Sequence, residues 1–182
     1  MLREVWIDEW YCKWISSSCK CIKQLQLSTF KFIGKVTINS SSLESFKLVS
    51  GIDEDISHLN ITSEKLQDID ISWINVSSPS STSLNILAPN LKDFKWEGDL
   101  MKTQNLGGLK SLGKVEIFLC SEVDDFVCVL ELLCNICRAK VVILNEQTTK
   151  LVPWDERAEE EAAIVMKTKL LVLLSWRRRL HK

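Results

Sequence analysis

The chain reads as an α/β solenoid: short coils stacked around a parallel sheet, partial and irregular, with helical caps at both ends. Three observations predict this. A short strand pattern with a fixed apolar spacing recurs six times, the intervals between copies are similar, and stretches with helical spacing flank the series. A single coil of this kind cannot bury its own apolar face. Stacked coils merge their faces into one core, and about three or more copies are needed.

The copies are Ile22-x-x-Leu25-x-Leu27, Leu43-x-x-Phe46-x-Leu48, Leu66-x-x-Ile69-x-Ile71, Leu91-x-x-Phe94-x-Trp96 and Leu112-x-x-Val115-x-Ile117. A sixth, Val141-x-Ile143, has Arg138 in place of the leading apolar residue. From Leu25 to Phe46, Ile69, Phe94, Val115 and Val141 the chain advances by 21, 23, 25, 21 and 26 residues in turn. Leucine-rich repeats have periods of about 20–29 residues. The alternating part of each copy predicts a strand with one buried face. Ala88-Pro89-Asn90 predicts a turn before the fourth strand, because proline fixes φ and asparagine tolerates unusual backbone angles. Val36-x-Ile38 and Leu84-x-Ile86 predict extended segments on the opposite wall of the coil.

Residues 1–20 form an N-terminal aromatic segment, 21–152 the repeats and 153–182 a charged tail. Val5, Trp6, Trp10 and Trp14 share one helical face, which predicts a capping helix whose aromatics enter the core. Ser121-x-x-Asp124 resembles a capping box and opens a helix from about Glu122 to Cys137, with Phe126, Val129, Leu130, Leu133 and Cys137 on one face. A strand over Lys140 to Leu144 follows. The tail is acidic from Asp155 to Glu161 and basic from Arg177 to Arg179, an order that suits a helix dipole and predicts a loosely attached helix from about Asp155 to Arg179.

With 46% hydrophobic and 26% charged residues the chain is not disordered as a whole, and 182 residues suffice for one core. A net charge of -1 gives no general attraction to nucleic acid or to an anionic membrane, and neither is expected as a partner. The longest apolar run, Leu170 to Trp176, is far below the roughly 20 residues of a spanning helix. Beside Arg177-Arg178-Arg179 it reads as a helix-end charge cluster rather than a membrane-surface helix. The N-terminus has no apolar core of a signal peptide, and seven cysteines form no paired framework. These points predict an intracellular protein of the cytoplasm or nucleus with reduced thiols. The sequons at Asn39, Asn60 and Asn75 are then accidents of a serine-rich chain.

Catalytic and metal chemistry find little support. Cys134-x-x-Cys137 falls at a helix C-terminus, where the dipole does not activate a thiol, and Cys19-x-Cys21 has the wrong spacing for a second zinc half-site. Both pairs read as buried structural thiols. His58 and His181 stand near no nucleophile motif, and no Gly-rich phosphate loop or H-E-x-x-H occurs. Gly107-Gly108 reads as a turn. No enzyme, cofactor or metal is expected.

The middle residues of the six strands, Gln26, Lys47, Asp70, Lys95, Glu116 and Val142, should form one outward column. Its signs alternate from Lys47 through Asp70 and Lys95 to Glu116. Two readings stay open: a solvated ladder that neutralises itself, or a partner surface on the wall where solenoids bind. The column is not basic, so it is no phosphate groove.

The stretches VSSPSSTSLNI, LAPNLKDFKWEGDL, LKSLGKVEIF, EVDDFVCVLELLCNICRAK and VVILNEQTTKLV, in this order, resemble the repeat region of plant F-box proteins with leucine-rich repeats and an FBD segment. IDEWYCKWISSSCKCIKQLQL is similar to the segment by which such proteins enter their repeats. The resemblance covers roughly residues 7–152. It implies a leucine-rich-repeat solenoid acting as a non-catalytic protein-binding module, the substrate-recognition part of an SCF-type ubiquitin ligase. The family's F-box, which docks a Skp-type adaptor, has no counterpart, because no L-P-x-x-[IVL] opening precedes the repeats. This chain alone is therefore not expected to capture that adaptor, and its protein substrate is unknown. A repeat fragment of a plant immune-type receptor and a truncated, non-functional product are the alternatives. The helix-plus-strand ending over Glu122 to Val152 favours the FBD resemblance.

Overall fold

In a computed structural model of the chain the described residues are 6–7, 9–28, 31–49, 55–73, 82–107, 109, 112–120 and 126–150. Each alternating run of the repeat forms a strand: β2 (Gln24–Ser28), β4 (Ser45–Val49), β6 (Asp68–Trp73), β8 (Asp93–Gly98), β10 (Lys114–Leu119) and β11 (Val141–Leu144). They make one sheet in the order β11-β10-β8-β6-β4-β2, and every neighbouring pair is parallel. Leu25, Phe46, Ile69, Phe94 and Val115 stand level with one another and are buried. The leading residues Leu43, Leu66, Leu91 and Leu112 are buried too.

The opposite wall is more regular than its two legible segments. β1 (Trp6–Ile7), β3 (Lys31–Asn39), β5 (Asp55–Thr62), β7 (Ser83–Leu87) and β9 (Thr103–Gly107) form a second parallel sheet in the order β1-β3-β5-β7-β9. The chain alternates between sheets, β2 to β3, β4 to β5, β6 to β7 and β8 to β9, so the described body is a parallel β-solenoid of about four turns. The core lies between the walls: Val36, Ile38, Leu59, Ile61, Leu84, Ile86 and Leu106 on one side meet the repeat residues on the other. Such side chains each contribute about 1.5–3 kcal/mol on full burial.

The coil entries repeat in backbone detail. Glu44 and Ser45 both donate to the Lys23 carbonyl, at 2.7 and 2.9 Å. Gln67 and Asp68 share the Glu44 carbonyl, Lys92 and Asp93 that of Gln67, and Gly113 and Lys114 that of Lys92. The corner after the second wall is also shared. Ser40, Ser63, Ala88 and Leu109, each three residues before a leading leucine, are all buried. The Ser63 hydroxyl donates to the Leu43 carbonyl at 2.8 Å, so its burial leaves no orphaned polar group. The predicted turn at Ala88-Pro89-Asn90 closes with Leu91 N–H donating to the Ala88 carbonyl at 3.1 Å.

Four expectations need correction. The N-terminal helix exists as α1 (Glu9–Ser18), but its aromatics do not enter the core: Trp10 is 77% exposed and Trp14 52%. Cys12 and Ile15 are buried instead, and the Ser16 hydroxyl accepts the Asn39 N–H at 3.0 Å. That N–H points from the free side of β3. The helix face able to satisfy it must turn inward, which leaves Trp10 and Trp14, four residues apart, on the opposite face. Trp6 belongs to β1, not to the helix.

The second correction is the register of β11. The Val141 N–H donates to the Gly113 carbonyl at 2.9 Å, which sets Val141 beside Lys114 and Ile143 beside Glu116. Val142 therefore stands level with Val115 rather than with Glu116, and Val141, Val142 and Ile143 are all exposed on this edge strand. A one-residue shift reverses every inside and outside assignment in a strand. Thirdly, Gly107 ends β9 rather than lying in a turn. Lastly, Cys137 is exposed and Cys134 half-buried, so the pair is not buried in the core.

The helix of the last coil is α2 (Phe126–Ile136), followed by β11 and a short helix α3 (Glu146–Lys150). α2 packs against β9, the last strand of the second wall, and continues that wall as a helix. Among the described residues no helix is long and apolar enough to cross a membrane. The predicted tail helix, the Ser121 capping box, Leu170 to Trp176 and the 153–182 segment lie outside the described residues.

Candidate functional site

Five of the six predicted column members stand in register. Strand register places Gln26 beside Lys47, Lys47 beside Asp70, Asp70 beside Lys95 and Lys95 beside Glu116. Alternation forces this: with Phe94 and Trp96 inward, Lys95 points out. All four charged members are half-buried by their neighbours in the sheet.

Their pairing is not a simple ladder. Lys47 Nζ lies 2.6 Å from Asp70 Oδ2, and Lys95 Nζ lies 3.9 Å from Asp70 Oδ1. Lys95 reaches along its own strand to Glu97 at 3.2 Å, while Glu116 takes Lys114 of its own strand as its ion-pair partner. The hydrogen bond to Glu97, with the charges of Asp70, Glu97 and Glu116, holds the Lys95 ammonium above the usual lysine range against the opposing effect of burial. Its Nζ also sits 5.9 Å from the Phe118 ring centre. Each such surface pair contributes about 0–1 kcal/mol, so the network organises the face more than it stabilises the fold.

One row departs from this neutralisation. Asp68 and Asp93 are direct register partners at the start of their strands. Burial first, then the charge and hydrogen bond of Asp93, lift Asp68 above the usual carboxylate range, and Lys92 opposes them. Nearby, a shallow groove of about 350 Å³ is lined by Glu44, Glu64, Lys65, Gln67, Asn90 and Lys92. Lys92 Nζ donates to Gln67 Oε1 at 2.7 Å.

The fold also unites residues that sequence spacing kept apart. His58 Nδ1 and Ser83 Oγ, on adjacent strands of the second wall, are 2.6 Å apart. A nucleophile and a base are thus in contact, contrary to the expectation that His58 stands near none. Their register neighbours are Lys35 and Thr103, so the column supplies no carboxylate to orient the imidazole. Burial, then Cys134, raises the Cys137 thiol; burial, with Glu97 and Asp99, raises that of Cys120. Neither is set up as a thiolate nucleophile at neutral pH. Among the described residues no group of three or more His, Cys, Asp or Glu side chains is placed to hold a metal.

The sequence reading missed the polar joint that locks the last coil. Asn145 Oδ1 accepts the Thr148 N–H at 2.9 Å, an N-cap for α3, and Asn145 Nδ2 donates to the Leu119 carbonyl at 2.9 Å. The fully buried Thr148 hydroxyl accepts the Leu119 N–H at 3.2 Å and faces the Ile117 carbonyl at 3.3 Å. Asparagine immediately after an apolar strand, with Glu146 next, was the available signal.

No family model matches the chain, and no curated protein or solved structure matches it either.

Proposed function

We propose that the chain is a non-catalytic protein-binding module, and that its partner docks on the six-stranded wall across Lys47, Asp70, Lys95 and Glu116. The observation that carries this is the unbroken in-register column of alternating charge on a rigid parallel sheet. Paired side chains hold each charge in place before a partner arrives, which lowers the ordering cost of binding. Alternating signs select a partner by pattern rather than by net charge.

The finer reading is that the coils are leucine-rich repeats of the F-box/FBD kind, and that the partner is a substrate protein of an SCF-type ubiquitin ligase. The order and spacing of the repeat motifs and the helix-then-strand ending support it. The intracellular setting belongs to the same reading and rests on the odd number and unpaired spacing of the seven cysteines. The Skp-type adaptor is not the proposed partner, because the residues that would bind it do not occur in these 182 residues.

Site-specific photo-crosslinking tests the surface. A photoreactive residue replacing Lys47 or Glu116 should give a discrete protein adduct in cell extract, and Asp70→Lys combined with Lys95→Glu should abolish it. An adduct that survives this double reversal overturns the assignment. Purified Skp-type adaptor at micromolar concentration should not be retained by the chain, and retention would move the proposed interface elsewhere.

A further inference from the structure

The charged wall ends differently at its two edges. At the N-terminal edge, β2 presents Gln24 and Gln26 to solvent, while its inward residues Leu25 and Leu27 are buried. At the C-terminal edge, β11 is the apolar run Val141, Val142, Ile143 and Leu144, and its first three residues are exposed. Val142 stands level with fully buried Val115 yet is 43% exposed, so the core is open at this end. Natural sheets blunt a free edge with charge, proline or a covering element. β11 contains neither a charge nor a proline.

The backbone of β11 fixes which groups reach that edge. The Val141 N–H donates to the Gly113 carbonyl at 2.9 Å, and the Asn145 N–H to the Ile117 carbonyl at 3.3 Å. Residues 141, 143 and 145 therefore turn their backbone groups toward β10. Alternation turns those of Val142 and Leu144 away from it. Among the described residues β11 has a strand neighbour on one side only. A strand added there must offer its own backbone groups at every second residue.

We propose that a second copy of this chain supplies that strand, the two β11 strands pairing antiparallel about a twofold axis at Ile143. This axis sets Val142 of one copy against Leu144 of the other, so the edge-facing groups of both copies meet and exchange their N–H···O bonds. Ile143 meets its own counterpart in the closer, non-hydrogen-bonded kind of pair, with Cα atoms about 4.5 Å apart. The same axis brings Lys140 of each copy toward Glu146 of the other, both exposed, so opposite charges flank the apolar pairing. Moving the axis to Val142 sets Lys140 against Leu144, and moving it to Leu144 sets Val142 against Glu146. β2, polar and already closed, offers no matching edge, so the contact is isologous and stops at a dimer.

The dimer joins two charged walls edge to edge. Glu116 is the register partner of Ile143, so the Glu116 residues of the two copies lie level, three strand spacings or about 14 Å apart. A partner of the charged face would meet two copies of it. The edge pairing itself stands whatever that face binds.

Sedimentation velocity of the full chain, from about 1 μM to a few hundred μM, tests this. A four-residue edge is a small interface, so a monomer–dimer equilibrium with Kd on the order of 10–100 μM is expected. Val142→Pro removes an edge-facing N–H and spares the bonds to β10, and should weaken the dimer by about tenfold or more. Ile143→Lys places like charges together at the axis and should do the same, with melting curves confirming that both variants fold. Ile143→Cys should give a disulfide-linked dimer on mild oxidation, joined through the two new thiols. Val141→Cys, set opposite Asn145, should not. A chain that stays monomeric throughout overturns the proposal, as does a dimer that withstands both Val142→Pro and Ile143→Lys. A photoreactive residue at position 142 should link one copy to the other. A link to residues 153–182 of the same chain would show that the chain's own tail fills the edge, and would overturn the proposal as well.

Discussion

Gly98 lies directly against the carbonyl of Trp73: a β-carbon at Gly98 would stand 1.6 Å from the Trp73 oxygen. The two residues are register partners at the ends of β8 and β6, and Gly98 has φ of +114°. The same carbonyl accepts the Asp99 N–H at 2.8 Å, so the chain turns here around an atom that leaves no room for a side chain.

Gly34 supplies the control for a substitution there. Its φ is +91°, but nothing lies within 4 Å of where its β-carbon would be. Gly34→Ala should lower stability by the backbone strain alone, about 1–3 kcal/mol. Gly98→Ala adds a collision with backbone that cannot rotate away and should lower it by about 4 kcal/mol or more. Urea denaturation of the two variants checks the ranking. Equal losses would mean that the β6–β8 junction yields.

Asp68 and Asp93 give the charged wall a pH signature. The folded chain raises the Asp68 pKa, so it holds that proton more tightly than the unfolded chain. This term therefore favours folding in acid and is lost as pH rises from the ordinary carboxylate range to the raised value. Asp68→Asn should melt above the parent at neutral pH, and the gap should close as pH falls below the carboxylate range. A gap that is constant across the titration would show that burial of Asp68 and its closeness to Asp93 are not the cause.

The joint between α3 and β10 makes a local prediction. Asn145→Ala removes an N-cap and should lower stability by about 1–2 kcal/mol. Thr148→Val keeps the shape but strips the hydroxyl from a fully buried position, leaving the Leu119 N–H without its partner, at a cost of about 1–3 kcal/mol. Amide exchange at Leu119 should accelerate in both variants. Unchanged exchange would place the stability of the last coil elsewhere.

The first wall was legible because its first five strands each carry two inward apolar residues at period two, with a leading apolar residue, leucine in four of them, to mark the start. The second wall was half hidden. β3 and β7 show clean apolar pairs in Val36 and Ile38 and in Leu84 and Ile86, but β9 places Gln104 at an inward position beside Leu84, which breaks the pattern. Gln104 instead donates to the carbonyls of Met101 and Cys128, where α2 takes over the wall. β11 deceived for a different reason. Val141, Val142, Ile143 and Leu144 are all apolar, so periodicity could not choose the inward face, and the backbone bond from Val141 to Gly113 decided it. In α1 the aromatic spacing was correct and its direction wrong, because side-chain bulk says nothing about which face a strand edge requires.

The register of β8 can be tested on two adjacent residues. Trp96 is 1% exposed, level with Ile71 on one side and Ile117 on the other, and its Nε1 donates to the Asp99 carbonyl at 3.2 Å. Trp96→Ala would empty one of the two largest fully buried side-chain sites and remove that hydrogen bond. Its cost should be about 3–5 kcal/mol, much of the stability of an ordinary domain. Lys95 points the other way, and its ion pairs are exposed enough for solvent to replace them. Lys95→Ala should change stability by about 0.5 kcal/mol or less. Thermal melts of the two variants read the difference directly. If Lys95→Ala were the more damaging, the strand would be turned over, Lys95 would leave the outward column, and the charged face proposed for the protein partner would lose its centre.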